Sequence, residues 1–248
     1  MSNLFHEILY RPLLNTLLFL YQNFSFGDLG IAIIILTVII RLILFPLFYK
    51  GAKDQTIIQR LSPKIKEIQN NHKKDRQKQA EALMALYKEH RVNPFSGFLL
   101  LIIQLPILIA LYRVFLEGFK PEIMNDAYSF IKQISFLKPS FLGIIDLSKK
   151  SLLIALLAGA VQYFQGRLSL IKSTESAGQA NPIEKMSRQM IYMGPLLTVF
   201  FLYFLGLPSA VGLYWLTTSS FSVIQQIIIN KKIINKELQQ HEHGASSL

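Results

Sequence analysis

Residues 29–49 read LGIAIIILTVIIRLILFPLFY, an almost wholly apolar run. It is long and apolar enough for a bilayer core, which takes about 20 helical residues. One residue interrupts it. Arg41 stands eight residues before Tyr49, a depth of about 12 Å at 1.5 Å per residue. A central arginine costs roughly 2.5–3.5 kcal/mol on insertion scales, so something must make its charge tolerable. Thr37 puts a hydroxyl one turn earlier on the same face, and Pro46 frees a backbone carbonyl nearby. Two readings stay open: a structural arginine paired within the bundle or with lipid phosphate, or a cation in a water-filled cavity awaiting an acidic group.

The surrounding chain favours a membrane protein. Its 248 residues are 51% hydrophobic, and the mean hydropathy is positive at +0.35. With several long apolar runs, this is a polytopic membrane composition, not that of a soluble enzyme. There is no cysteine, so neither disulfides nor cysteine–metal sites are available. The first residues lack a basic n-region followed by a small-residue cleavage site, so no secretory signal peptide is expected.

Working outward, residues 1–28 are expected to hold an interfacial amphipathic helix over Leu4–Gln22, interrupted by Glu7, Arg11 and Pro12. Residues 29–49 form the first span. Residues 50–94 carry eleven Lys/Arg and five Asp/Glu, with Ile57, Ile58, Leu61, Ile65 and Ile68 at mostly helical spacing. A break at Asn70-Asn71-His72 precedes Ala80, Leu83, Met84 and Tyr87. This predicts a soluble helical hairpin whose first arm restarts at Ser62-Pro63. Further spans are expected at 95–117, 151–166, 190–205 and 210–229. They are joined by an external loop with short helices (118–150), a flexible polar loop (167–189) and a tight turn at Gly206-Leu207-Pro208-Ser209. A basic tail, 230–248, closes the chain. The short third and fourth spans imply local thinning of the bilayer.

Charge bias sets the orientation. Segments 50–94, 167–189 and 230–248 hold eleven, four and three Lys/Arg, against one and five in 1–28 and 118–150. The positive-inside rule places the hairpin and C-terminus in the cytoplasm and the N-terminus outside.

Enzyme motifs are missing. The sequence has no His-Glu-x-x-His pair, no Gly-x-Ser-x-Gly elbow and no Walker loop, and all five histidines lie outside the spans. His241 and His243 fall in a tail expected to be disordered, and no metal or cofactor is expected. No Asp or Glu lies inside the apolar runs, which leaves Arg41 without an obvious intrachain carboxylate. Along the fifth span, Trp215, Thr218, Ser219, Ser222, Gln225 and Gln226 recur at helical spacing as one polar stripe. Such hydroxyls can simply bond their own i−4 carbonyls or a neighbouring helix. Taken with Thr37, Arg41, Gln104 and Gln162, a shared hydrophilic cavity explains the set better.

Several ordered segments carry a family resemblance. They are Ile40-Arg41-Leu42-Ile43-Leu44-Phe45-Pro46-Leu47, Leu61-Ser62-Pro63-Lys64-Ile65-Lys66-Glu67-Ile68-Gln69 and Leu86-Tyr87-Lys88-Glu89-His90-Arg91-Val92-Asn93-Pro94. Ile103-Gln104-Leu105-Pro106-Ile107, Ala110-Leu111-Tyr112 and Gly212-Leu213-Tyr214-Trp215 complete the set. From about residue 25 to 230 the chain resembles the YidC/Oxa1/Alb3 membrane protein insertases, and in particular a minimal bacterial type without a large external domain or a lipid-modified N-terminal cysteine. The resemblance implies an all-α polytopic membrane protein. Its five transmembrane helices would surround a hydrophilic groove open to cytoplasm and lipid. It also implies that Arg41 receives hydrophilic parts of a nascent chain, that Gln104 and Trp215 line the groove, and that substrate spans slide past Leu105, Pro106 and Leu108. The family often has Phe where Leu108 stands.

The expected function is insertion of nascent membrane proteins into the bacterial cytoplasmic membrane by a monomer, without nucleotide hydrolysis. The ribosome (through the basic tail and cytoplasmic loops), a Sec translocon and membrane lipids are the further expected partners. A small anion transporter or channel using Arg41 is the runner-up reading, and a purely structural assembly factor, which would leave Arg41 dispensable, is the third.

Overall fold

Pro12 stands in the first turn of α1 (Arg11–Asn23), where a missing N–H costs no intrahelical bond. A short helical turn, Asn3–Phe5, and a π-helical turn, His6–Tyr10, lead into it. The computed structural model describes residues 3–118, 120–134, 137–169 and 182–245, by backbone alone at 121, 182–188, 190 and 234–245. Leu14, Leu17 and Leu18 of α1 are wholly buried. The expected lipid-facing side of this amphipathic helix is therefore covered by protein. Polar groups along α1 bond the chain beyond residue 120. Asn15 Nδ2 donates to the Asp126 carbonyl at 2.9 Å and Gln22 Nε2 to the Lys132 carbonyl at 2.8 Å. The Lys138 N–H donates to the Tyr21 hydroxyl at 3.3 Å. α1 thus lies along one end of the bundle.

Asp28 starts the next helix, α2 (Leu29–Ile43), by accepting the Ile31 N–H at 2.9 Å, a cap worth about 1 kcal/mol. The sequence predicts one span to Tyr49, but α2 stops at Ile43 and α3 (Phe45–Arg60) leaves at 70°. Pro46 explains the break. Its ring would clash with the carbonyl of residue 42 in a continuous helix, whereas in the first turn of α3 it fits. Arg41 consequently sits two residues from a helix end, not eight residues inside a straight span.

α4 (Ser62–Asn71) and α5 (Arg76–Glu89) form a pair with its own small core of Leu61, Ile65, Leu86 and Val92. α6 (Ser96–Glu117) is, among the described residues, the one helix that alone is long and apolar enough to cross a membrane. α2 and α3 meet that test only as a bent pair. The described residues of segment 118–150, expected to hold short helices, contain one 3-10 turn, Pro121–Asp126, and a two-stranded antiparallel pair. In that pair β1 (Ser140–Phe141) and β2 (Ile145–Asp146) align Ser140 with Asp146. A Cβ at Gly30 would collide with the Phe141 ring, so glycine lets β1 dock on α2.

α7 (Leu152–Ser169) and α8 (Pro182–Val199), the latter prolonged by a π turn Phe200–Phe204, flank residues 170–181, the middle of the expected 167–189 loop, which lies outside the described residues. α9 (Ser209–Ala245) does not end near residue 229. Residues 230–243 contain neither Pro nor Gly, so nothing in the chain stops the helix where the apolar run ends. The side chains of His241 and His243 are outside the described residues. α9 is the hub of a predominantly helical fold: it packs on α7 and α2 and also reaches α3 and α6, while α8 packs on α7. α2 and α6 are joined mainly through α1 and α9 and make at most a glancing contact with each other.

Candidate functional site

Arg41 occupies the last turn of α2 and is 7% exposed. Its guanidinium lies 4.3 Å from the centroid of the Phe48 ring. Seven residues along a straight helix would separate the two by about 10.5 Å; the bend before α3 brings the ring back over the cation. Such a contact is worth up to about 2 kcal/mol when desolvated. Among the described residues no carboxylate pairs with Arg41. The buried carboxylate of α3, Asp54, is engaged elsewhere. It accepts the Ser96 hydroxyl at 2.7 Å and the Asn93 N–H at 3.4 Å, joining α3 to the start of α6.

Across from α2, the Gln104 amide of α6 donates to the Tyr214 hydroxyl of α9, and Tyr214 is 3% exposed. One turn on, the Thr218 hydroxyl is buried, and Ser219 beside it is buried too. Trp215 is half-buried. Tyr214 thus ties α9 to α6 while α9 packs on α2, so α9 bridges the two helices that hardly touch.

The remaining polar residues divide. Thr37 is buried, but its hydroxyl donates to the Ile33 carbonyl at 2.6 Å. Ser222 donates to the Thr218 carbonyl at 3.0 Å. Both follow the back-bonding alternative, in which a helix consumes its own hydroxyls. Gln226 Nε2 donates to Thr56 Oγ1 at 3.0 Å and to Asn230 Oδ1 at 2.9 Å. Asn230 Nδ2 in turn donates to the Leu168 carbonyl at 2.9 Å. These bonds tie α9 to α3 and α7. Gln162 joins a different junction, accepting the Thr198 hydroxyl between α7 and α8. It is not brought to Arg41. Of the slide residues, Leu105 is exposed, while Pro106 and Leu108 are half-buried and Leu108 rests on the main core.

Sequence reasoning missed Tyr214, Phe48 and Thr198. Tyr214 was within reach, because it precedes Thr218 by four residues on the same helix face. Phe48 was not, since its contact depends on the bend.

A profile described as "60Kd inner membrane protein" matches residues 19–237. Among curated relatives, the membrane protein insertase YidC of Helicobacter pylori is 35% identical over 219 residues, covering 88% of this chain and 36% of that protein. The YidC of Wolinella succinogenes is 34% identical over 227 residues, covering 92% and 38%. The YidC of Chlamydia muridarum is 32% identical over 246 residues, covering 96% and 30%. The chain thus spans about a third of the length of these relatives. With nearly its whole length matched by that profile, the chain belongs to the 60Kd inner membrane protein family, the YidC/Oxa1/Alb3 family.

Proposed function

We propose that this chain is a membrane protein insertase that moves short polar segments of nascent proteins across the bilayer. The observation carrying the reading is Arg41: a buried cation, stacked on Phe48, without a carboxylate partner among the described residues. A charge in that condition suits an acidic group supplied by a client. The names of the relatives agree, since each of those reported above is called an insertase. None supports the anion-transporter reading.

In this reading α2, α6, α7, α8 with its π turn, and the first half of α9 are the five spans. The space between α2 and α6 is the groove, open to lipid and cytoplasm. The α4–α5 pair and the C-terminal part of α9 are cytoplasmic, the side that the Lys/Arg excess favours. Clients enter beside Leu105 and pass Gln104, Tyr214 and Trp215. No covalent step is needed. A polar segment crosses slowly because lipid desolvates it, and a wet, positively charged groove lowers that barrier. Burial of the client's apolar span drives the process at roughly 25 cal/mol per Å². The ribosome (through cytoplasmic basic segments), a Sec translocon and lipids are the further partners, and the active unit is a monomer.

The test is reconstitution of the purified chain in liposomes with a single-span client carrying an acidic translocated segment. Insertion should occur without nucleotide, fall several-fold with Arg41→Ala and fall less with Arg41→Lys. Equal insertion by wild type and Arg41→Ala across a panel of such clients would overturn the groove mechanism.

A further inference from the structure

Two turns beside the start of α2 share one unusual build. Phe26 and Gly27 have φ of 54° and 73°, and Leu142 and Gly143 have φ of 54° and 71°. The first position of such a left-handed pair suits Asn, Asp or Gly, and a bulky residue there is strained. Both bulky side chains point outward. Phe26 is fully exposed, Leu142 is 60% exposed, and the neighbouring Phe24 and Ile144 are 57% and 84% exposed. One carboxylate links the turns: Asp28 caps α2 with one oxygen and accepts the Leu142 N–H with the other at 2.6 Å. The Phe141 ring seated at Gly30 holds the strand pair to α2 from the other side. Strain kept at an ordered position points to a use for it.

We propose that Phe24, Phe26, Leu142 and Ile144 form a foot that inserts into the lipid interface at the end of the bundle remote from the α4–α5 pair. The foot rests on the spanning arrangement proposed above. Lipid is the occupant for three reasons. The foot stands where α2 begins at Leu29, the level at which a spanning helix leaves the apolar layer. Two of its four members are phenylalanines, whose apolar rings have no other apolar phase to enter at that level. Exposed Lys132 and Lys138, held by backbone bonds to Gln22 and Tyr21 of α1, flank it with charge that suits lipid phosphates. Because Asp28 joins the foot rigidly to α2, the foot sets the depth of that helix. It thereby sets the depth of Arg41, about 20 Å further along the axis.

The chain has no cysteine, so single reporters are clean. Phe26→Cys, Leu142→Cys and Ile144→Cys would each carry an environment-sensitive fluorophore in the full chain. Leu101→Cys on α6 and Met84→Cys on α5 serve as controls. Vesicles of phosphatidylcholine and phosphatidylglycerol would contain lipid with a nitroxide near the headgroup or deep in the acyl chain. The three foot positions should be quenched at least twofold more by the shallow nitroxide than the deep one, Leu101 more by the deep one, and Met84 by neither. In the Phe26→Asn/Leu142→Asn background, whose turns accept asparagine without strain, quenching at Ile144→Cys should drop at least twofold. Quenching at Leu101 with foot positions behaving like Met84, or unchanged quenching in the asparagine background, overturns the foot and leaves the spanning reading intact. No quenching at Leu101 overturns both. Unquenched foot positions that cross-link between two chains assign the patch to a second copy and also overturn the foot.

Discussion

The Arg41 guanidinium stands 4.3 Å from the Phe48 ring centroid, and the two residues belong to helices that diverge by 70°. The bend holds the ring over the cation, and among the described residues no carboxylate pairs with it. Phe48→Leu keeps an apolar side chain but removes the ring face, a loss of about 0.5–2 kcal/mol from the cation contact. Thermal unfolding in detergent micelles should shift down by a few degrees, with Phe48→Tyr close to wild type. An unchanged midpoint in Phe48→Leu would show that the stacking contributes nothing.

Gln104 and Tyr214 connect α6 to α9 through one side-chain hydrogen bond. Tyr214→Phe strips the hydroxyl and removes this bond, at a cost of about 0.5–1.5 kcal/mol. Adding Gln104→Leu should recover part of that loss, because both polar partners are then gone. A double-mutant cycle on unfolding midpoints measures the coupling. Strict additivity would mean that water serves Gln104 equally well.

Asp54 is 4% exposed and accepts the Ser96 hydroxyl at 2.7 Å. Leaving a buried acceptor without its donor costs about 1–3 kcal/mol. Ser96→Ala should therefore loosen the junction between α3 and α6. Amide exchange over 93–99 should accelerate several-fold while exchange in α1 stays unchanged. Uniform exchange in wild type and variant would remove Asp54 as the fastening.

Water access separates a groove from a sealed bundle. Single cysteines at Arg41, Gln104, Trp215 and Ser219 should react with a membrane-impermeant thiol reagent added from the α4–α5 side, because labelling needs hydrated thiolate. Cysteines at Ile39 and Leu216, both packed on the main core, should stay unlabelled. Cysteine at Gln162 should label independently of the others, since that side chain belongs to the α7–α8 junction. Labelling at Arg41 from both faces would point to a channel.

Asp75 caps α5 by accepting the Lys78 N–H at 3.0 Å. That backbone bond, foremost, holds its carboxyl below the usual carboxylate range. The folded value lies under the unfolded one. Its stabilisation is therefore complete above about pH 4 and is lost as pH falls through the lowered value. Exchange of the Lys78 amide, corrected for intrinsic rate, should quicken as pH drops below 4. Asp75→Ala should be fast throughout and lack this step. A wild-type profile flat to pH 2 would contradict the cap.

Features that depend on neighbours along the chain are legible before any helix is packed. Apolar runs, the amphipathic pair around Leu61, Ile65 and Leu86, and the polar break after Asn71 are local patterns, and hydropathy and helical periodicity report them directly. The motifs that carry the family are equally local. Distances between helices, by contrast, are set by packing. The run 29–49 contained Pro46 in plain view, but a proline sets a break without giving the angle of departure, and that angle puts Phe48 against Arg41. The stripe on α9 was legible as polar. Whether each hydroxyl turns inward to its own helix, as Ser222 does, or a glutamine reaches another helix, as Gln226 reaches Thr56, depends on helix rotation and crossing. For the same reason Tyr214, and not its neighbour Trp215, bonds Gln104. One residue along a helix turns the side chain by about 100°, and only the packed bundle selects which face meets a partner.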